Sequence, residues 1–414
     1  MVMSDASLNT GFGKVLHNIA YGLSESGLET FFLGWGFKYE SSIPRTNYTL
    51  LPCGNEPFGQ DVLPYYIQQI KPEVLIVQSD TRMTAYIPQM LKQLPVKPVF
   101  VHYVVIDGNT WQIDGKNHWP LNWSQIIKGA DKVVAMSKFG QSILKDMGIE
   151  SEVIYHGVDT TQFLPVSPEQ RKSLKKQVGL GEDKFVFLGV FKSMQRKNPE
   201  KYLQAFKIFL ESKELTQAEK DNCILVLHTQ PQPQQGGEYD LVEQCIDSGL
   251  QPGKNVIFSA QGVPADRMQL IYQTADVFMH LGTMEGFGIP ILEAMSCGLP
   301  IIGVDSCTMP ELIGDCGILS EVPRYKNNQK IKYGSYNGVE AEQVDPWDVA
   351  KQMLKLYKSE ALRKELGTKA TEKAVREFDW TLIRKQWVEY VGKLVLKAED
   401  VPAEWARLME ETKV

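Results

Sequence analysis

Apolar residues follow two alternating patterns along the chain. Runs of consecutive apolar residues, typical of strands buried on both faces of a sheet, occur at residues 29–35, 73–78, 98–106, 185–190, 223–228, 255–259, 276–280 and 301–304. Segments with apolar residues at helical spacing lie between them, for example at residues 60–70, 84–94 and 266–274. Strands that alternate with helices predict doubly wound parallel sheets, and therefore an α/β fold.

The length of the chain, 414 residues, is large for a single hydrophobic core, so we expect two domains. A polar, charged segment at residues 164–183 has the composition of a linker. We therefore place a first domain at residues 1–163, a second at 164–379, and C-terminal helices at 380–414. The strand predicted at residues 1–5 is short, so either the fold begins with a short strand or residues are missing upstream of Met1.

The strongest candidate for a binding site is the stretch at residues 281–300. Pro290 suits the first turn of a helix and Gly298 suits its end, which predicts a helix at about residues 289–297. Gly286 and Gly288 precede this helix and allow its backbone to approach a ligand closely. The first amides of a helix have no partner within the helix and attract anions. This end of the helix is therefore a candidate phosphate site.

Two carboxylates bracket these amides, Glu285 in the turn and Glu293 in the helix. An ionised carboxylate only accepts hydrogen bonds, and hydroxyl groups are its natural partners. A site in which phosphate-binding amides lie between two carboxylates that bind hydroxyl groups suits a sugar nucleotide. The alternative is a capped helix with two solvated acids.

A second candidate is the basic turn after the strand at 185–190, which contains Lys192, Arg196 and Lys197. Cations at this position would neutralise a departing diphosphate, whose charge grows in the transition state. The alternative is a solvated basic turn.

Composition excludes several other classes of protein. A net charge of -6 argues against a general nucleic-acid binder, and the six cysteines show no C-x-x-C spacing, which favours a reducing cytoplasmic location. No apolar run is long enough for a transmembrane helix, although peripheral contact with the inner face of a membrane stays open. The sequence has no G-x-x-x-x-G-K-[ST] motif, no D-x-D motif, and no histidines at metal-ligand spacing. We therefore expect neither a bound metal nor a cofactor.

The E-x7-E spacing and its setting, E-G-F-G-x-P-x-x-E-A-M-x-C-G-x-P, resemble the signature of family 4 retaining glycosyltransferases, which have the GT-B fold. The resemblance implies two doubly wound, Rossmann-like domains that face each other across a cleft, with a C-terminal helix that crosses back to the first domain. The implied function is metal-independent transfer of a hexose, with retention of configuration, from a nucleoside-diphosphate sugar to a hydroxyl group of a glycan, lipid or small molecule. The sugar nucleotide is then a substrate.

The resemblance also implies roles for individual residues. Glu285 would hold sugar hydroxyls, Glu293 would hold ribose hydroxyls, and Asp107, directly after a strand, would orient the sugar or the acceptor. The catalytic set expected is Asp107, Lys192, Lys197 and Glu285, with Lys192 at a position where arginine is usual. The donor-binding set expected is Gly11, Phe12, Gly13, Lys192, Arg196, Lys197, Gln261, Val263, Glu285, Gly286, Phe287, Gly288, Ile289 and Glu293.

Several points stay open. The aromatic segment with Trp111, His118 and Trp119 forms either an acceptor platform or a plug for a hydrophobic end of the domain. The polar insertion at residues 323–342 is expected to be a solvated loop, although contact with the acceptor or another subunit is open. Another GT-B activity, such as sugar-nucleotide epimerisation, and a non-catalytic sugar-binding role are the alternative functions. The sequence does not indicate the donor base, the sugar, the acceptor or the oligomeric state.

Overall fold

The structure is a computed structural model that describes residues 1–38, 47–108, 111–113, 116–118, 121–233, 240–260, 262–336 and 339–395. It divides into two compact units. The first consists of Met1–Ile106, His118–His156 and the segment from Trp380 onwards, and the second of Asp107–Asn117 and Gly157–Asp379. None of the helices in the described ranges has the length and apolar character needed to span a bilayer.

Up to residue 156 the helices are α1 (Gly11–Glu25), α2 (Leu63–Ile70), α3 (Ile87–Lys92), α4 (Leu121–Lys128) and α5 (Lys138–Asp146). The strands in the same part of the chain are β1 (Val2–Asp5), β2 (Phe31–Trp35), β3 (Thr49–Pro52), β4 (Val74–Ser79), β5 (Val99–Val104), β6 (Trp111–Ile113), β7 (Lys116–His118), β8 (Lys132–Ala135) and β9 (Glu152–Val153).

From residue 157 the helices are α6 (Pro168–Gln177), α7 (Pro199–Leu210), α8 (Gln217–Asn222), α9 (Leu241–Asp247), α10 (Met268–Gln273), α11 (Ile289–Ser296), α12 (Met309–Ile313), α13 (Pro346–Lys358), α14 (Glu360–Phe378) and α15 (Trp380–Val395). The strands are β10 (Phe185–Val190), β11 (Cys223–His228), β12 (Val256–Phe258), β13 (Val277–Met279), β14 (Ile301–Val304), β15 (Gly317–Ser320), β16 (Lys332–Tyr336) and β17 (Val339–Glu342).

Each unit is built on one parallel sheet. The first has seven strands in the order β3-β2-β1-β4-β5-β8-β9, and the second has six in the order β12-β11-β10-β13-β14-β15. Helices cover both sides of a doubly wound sheet, so its strands are buried on both faces. This burial explains why the strands consist of consecutive apolar residues. In β10, for example, all residues from Val186 to Val190 are buried. The α/β prediction with two doubly wound sheets is confirmed.

The strand order in the second unit reverses direction between β10 and β13. These strands are hydrogen-bonded in parallel, with Gly189 opposite Met279. The next strands along the chain lie on opposite sides of this pair, so the loops that follow β10 and β13 leave the same edge of the sheet in opposite directions. Such a switch point leaves a crevice at the carboxyl ends of the strands, where doubly wound folds bind ligands.

The C-terminal helix α15 belongs to the first unit, as the fold prediction requires. It packs on α1, where the Arg384 guanidinium donates a hydrogen bond to the Asn18 side chain. The Trp387 side chain is 0% exposed and meets the Tyr103 ring edge to face, with ring centroids 4.9 Å apart. The crossing back to the first unit is thus held by a large apolar contact, and residues 396–414 lie outside the described residues.

Two segments that the sequence analysis placed in the first domain lie with the second unit, namely residues 107–117 and 157–163. The Val158 amide donates to the Phe378 carbonyl at 2.8 Å, and the Phe163 ring lies 5.8 Å from the Tyr272 ring. These partners are distant in sequence, so the polarity of the linker did not reveal where the first unit ends.

Within the insertion at residues 323–342, β16 and β17 form an antiparallel pair, which we call the hairpin, so the expectation of a solvated loop was wrong. The side chains of Val339 and Ala341 are 3% and 2% exposed. The Lys330 Nζ lies 3.3 Å from Asp305 Oδ2 and 3.5 Å from Glu342 Oε2, which ties the hairpin to the loop after β14. The polar composition of this segment concealed the alternate apolar residues of β17, Val339 and Ala341, which are buried on one face of that strand.

Replacing Trp387 by alanine tests the contribution of α15 to the first unit. Loss of this buried ring should lower the free energy of unfolding by about 4 kcal/mol, because the cavity is only partly filled by its neighbours. Urea unfolding followed by circular dichroism measures the change. Trp347→Ala, which removes a tryptophan that is 69% exposed, is the matched control and should have little effect. Equal effects of the two substitutions would contradict the packing described for α15.

Candidate active site

The candidate site in the second unit is formed by the loops that follow β10 and β13. The first loop carries Arg196 and Lys197, and the second carries Glu285. About ninety residues separate the two loops in sequence, and the pairing of β10 with β13 brings them together.

The Glu285 carboxylate is the centre of this site and is 4% exposed. One of its oxygens accepts a hydrogen bond from the Lys197 ammonium and lies 3.1 Å from His280 Nε2. The other lies 3.4 Å from Arg196 Nη1. The predicted acid and two of the three predicted cations therefore contact one another directly.

Backbone contacts hold the two loops in place. Asn198 adopts a left-handed conformation with φ 50°, and its side-chain amide donates to the Leu281 carbonyl at 2.7 Å. Arg196 Nη1 donates to the Met284 carbonyl at 2.8 Å, and the Thr283 amide donates to the Arg196 carbonyl at 3.2 Å. A Cβ atom on Gly282 would lie 2.3 Å from a Glu285 oxygen, so a larger residue there would displace the Glu285 carboxylate.

The charged groups in this cluster shift one another's pKa values. Burial would raise the pKa of Glu285, but the positive charges of Lys197 and Arg196 hold it well below 4.5. Burial and the Arg196 charge lower the pKa of Lys197 to about 8, although Glu285 and Asp107 act in the opposite direction. Burial also lowers the pKa of His280, so its ring is neutral at neutral pH. Near neutrality the acid is ionised and Lys197 is close to its titration point.

Asp107 belongs to the second unit, and its charge acts on Lys197. The next residue, Gly108, lies under the hairpin: a Cβ there would be 2.7 Å from Val339 Cγ1 and 3.4 Å from Cys307 Sγ. The structure thus brings Asp107 to the cluster that contains Glu285, and the hairpin and the loop after β14 pack against its neighbour.

The sequence analysis assigned no side chain of the loop after β14 to the site. In the structure its side chains hold the acidic turn. Ser306 Oγ donates to the Thr283 carbonyl at 3.1 Å, and Thr308 Oγ1 donates to the Phe287 carbonyl at 2.8 Å. Two hydroxyl residues that flank Cys307 were the available sequence signal, but their partners are not predictable from spacing.

The helix predicted at residues 289–297 is α11, which begins and ends within one residue of the prediction. Gly288 precedes it with φ 124°, a conformation that glycine adopts readily. Within the described residues, no side chain caps the start of α11. Glu293 is buried in this helix and accepts a hydrogen bond of 2.6 Å from the Tyr272 hydroxyl, a partner that the sequence analysis missed.

The other predicted site residues are more scattered. Gly11, Phe12 and Gly13 begin α1 in the first unit, where Thr10 Oγ1 accepts from the Gly13 amide at 3.0 Å. In the second unit Lys192 is exposed after β10, and Val263 is half-buried after β12. Of the aromatic segment, Trp111 lies in β6 and His118 in β7. Gln261 and Trp119 lie outside the described residues.

Comparison with known proteins relates most of the second unit to one protein family. The family described as glycosyl transferases group 1 matches residues 170–373, which include both loops of the site and α11. Residues 170–373 belong to this glycosyltransferase family. A solved sucrose-phosphate synthase from Thermosynechococcus elongatus superposes with a TM-score of 0.72, at 16% identity, over 95% of this chain and 98% of that chain. This likeness confirms the GT-B fold.

Two curated relatives carry more specific names. The O-antigen chain mannosyltransferase B of Escherichia coli is 36% identical over 86 residues, 21% of this chain and 22% of that protein. The GDP-mannose-dependent alpha-(1-6)-phosphatidylinositol monomannoside mannosyltransferase of Mycolicibacterium smegmatis is 29% identical over 201 residues, 46% of this chain and 48% of that protein. The chain thus aligns with less than half the length of either relative.

Glu285→Gln tests the ionic contacts of this site. At pH 7 the substitution should lower the free energy of unfolding by about 3 kcal/mol, because it leaves the partly buried cations Arg196 and Lys197 without their anion. The stabilisation by the carboxylate is fully present above its unfolded pKa of 4.5 and is lost as the pH falls through the lower folded value. The difference between the wild type and Glu285→Gln should therefore shrink below pH 4.5.

Urea unfolding at a series of pH values measures this difference. Glu365→Gln is the matched control, since Glu365 pairs with Lys369 on an exposed helix surface and should contribute little. A Glu285→Gln protein as stable as the wild type at pH 7 would contradict the electrostatic role of this carboxylate.

Proposed function

We propose that the protein is a family 4 retaining glycosyltransferase. It moves a hexose from a nucleoside-diphosphate sugar to an acceptor hydroxyl without a metal ion. The observation that carries this proposal is the cluster of Glu285, Arg196 and Lys197 at the switch point of the second sheet, with Asp107 acting on the same lysine. A site of this composition offers cations for a diphosphate and carboxylates for hydroxyl groups within one unit.

The cations have the chemistry that a departing nucleoside diphosphate needs. Negative charge grows on the leaving group as the glycosidic bond breaks, and fixed positive charges stabilise that state. Arg196 is a planar fork held by the Met284 carbonyl, whereas Lys197 is a point charge. We assign both to the diphosphate, together with the exposed Lys192. With these cations in place, departure of the nucleoside diphosphate requires no metal.

The carboxylates are assigned to hydroxyl groups. Glu285 accepts from the hexose, Glu293 accepts from the ribose, and Asp107 orients the hexose or the acceptor. The amides at the start of α11, after Gly286 and Gly288, complete the phosphate contacts. For retention we favour attack on the face from which the diphosphate leaves, with a donor phosphate oxygen taking the acceptor proton as the new glycosidic bond forms. No carboxylate nucleophile is then required.

The remaining assignments rest on the resemblance. The loop at Gly11, Phe12 and Gly13 is assigned to donor phosphates, and Trp111, His118 and Trp119 to the acceptor. The acceptor class is a carbohydrate, a lipid or a small molecule, and the location is cytoplasmic with peripheral membrane contact open. The Mycolicibacterium smegmatis relative is named as GDP-mannose-dependent, which makes GDP-mannose the first donor to test.

A donor screen tests the proposed function. We expect one class among GDP-mannose, UDP-glucose and ADP-glucose to raise the melting temperature, because a ligand that binds only the folded state stabilises it. The same donor should be hydrolysed slowly without acceptor, with release of the nucleoside diphosphate. Binding without any turnover would favour the sugar-binding alternative. If no donor binds and no donor is turned over, the proposal is overturned.

The titration of Lys197 predicts the pH dependence of nucleotide binding. Because its pKa is about 8 in the free protein and a bound diphosphate favours the charged form, affinity should be highest below pH 8 and fall as the pH rises. Calorimetry with GDP and UDP at pH 7 to 9.5 measures this dependence. Lys197→Arg is the matched variant: its side chain stays charged, so the decline above pH 8 should disappear. A wild type with constant affinity over this range would contradict the assignment of Lys197.

A further inference from the structure

Tyr272 makes a polar contact that none of the roles above uses. This residue of α10 is 0% exposed, and its hydroxyl donates to Glu293 Oε2 at 2.6 Å. Glu293 is the carboxylate assigned to the ribose, and it lies on α11. The contact therefore joins the predicted nucleotide site to a neighbouring helix of the same unit.

The tyrosine ring is fixed by its apolar surroundings. Its centroid lies 5.8 Å from that of Phe163 and 5.7 Å from that of Phe278. A tyrosine side chain has two rotatable bonds, so packing of the ring also determines the position of its hydroxyl oxygen. The donor is thus rigid, and the carboxylate that accepts from it is correspondingly constrained.

The direction of the hydrogen bond suits a carboxylate that binds hydroxyl groups. Burial raises the pKa of Tyr272 well above 10, and the Glu293 charge raises it further, so the phenol keeps its proton. The Tyr272 hydroxyl is therefore the donor in this contact, and a carboxylate oxygen is the acceptor. The hydrogen bond from Tyr272 also offsets part of the free-energy cost of burying the Glu293 carboxylate.

We propose that Tyr272 is a positioning residue that holds the Glu293 carboxylate in the rotamer that receives the ribose hydroxyls of the donor. This inference rests on the ribose assignment of the proposed function. Tyr272 does not touch the nucleotide itself. Its removal should therefore weaken only the part of nucleotide affinity that depends on ribose hydroxyls.

Tyr202 provides a matched tyrosine. It is also buried, but its hydroxyl accepts from the Leu281 amide at 2.9 Å and lies 3.5 Å from the Met279 carbonyl, so both of these polar contacts are with backbone atoms. Tyr202→Phe and Tyr272→Phe each delete one buried hydroxyl and keep the ring. Only the second change removes a donor to Glu293.

The experiment compares the affinities of GDP and UDP with those of their 2′,3′-dideoxy counterparts by calorimetry. We expect the wild type to bind the ribonucleotide more tightly than its dideoxy form. Tyr272→Phe should weaken ribonucleotide binding about ten-fold, as expected for one hydrogen bond to a charged group, and should leave dideoxynucleotide binding nearly unchanged. Tyr202→Phe should preserve the ratio between the two affinities. In a Glu293→Ala background, Tyr272→Phe should cause no further loss.

The outcomes separate the inference from the proposed function. If the wild type binds neither nucleotide, or binds ribo and dideoxy forms equally, the ribose assignment fails and the inference fails with it. If the wild type discriminates and Tyr272→Phe discriminates equally well, the inference alone is overturned. A general packing defect would lower both affinities together, which also contradicts the positioning role, and circular dichroism checks that each variant is folded.

Discussion

The ionic contacts of Glu285 determine much of the geometry of the second unit. Burial of an isolated carboxylate costs several kcal/mol, and the cost is offset only when cations and hydrogen-bond donors surround the group. Arg196 and Lys197 supply those charges, and each comes from the loop after β10, whereas Glu285 comes from the loop after β13. The contact therefore locks two loops that could otherwise move independently.

The sheet explains why these loops meet. Parallel strands present their carboxyl ends at one edge, and the reversal of strand order between β10 and β13 leaves that edge open. Secondary contacts then refine the position of the turn: Asn198 holds it from one side, and Ser306 and Thr308 hold it from the loop after β14. Chemistry-bearing side chains are thus oriented by rigid elements rather than by their own loop alone.

Local patterns predicted the elements of the fold well. Proline and glycine at the two ends of α11 gave its bounds within one residue, because these residues act on the backbone directly. Strands such as β10 and β11 were recognisable because burial on both faces demands continuous apolar runs. The cations and acids of the site were also identified from residue type and spacing.

Tertiary contacts were less accessible from sequence. The Tyr272 hydroxyl reaches Glu293 only because α10 packs beside α11, and helical spacing does not indicate which apolar position carries a partner. The hairpin within residues 323–342 was misjudged because a polar composition hid the alternate buried residues of β17. Likewise, the second unit includes residues 107–117 through contacts such as that of Gly108 with Val339, which join distant parts of the chain.

The packing of α15 on α1 has a consequence for biosynthesis. The first unit combines Met1–Ile106 and His118–His156 with the segment from Trp380 onwards, and most of the second unit, Gly157–Asp379, lies between these parts in sequence. During translation the amino-terminal sheet emerges first, but the surface that α1 offers to α15 stays uncovered until the ribosome has completed residues 380–395. The second unit can close its own core earlier, so the first unit reaches its final packing after the second, although most of it precedes the second in sequence.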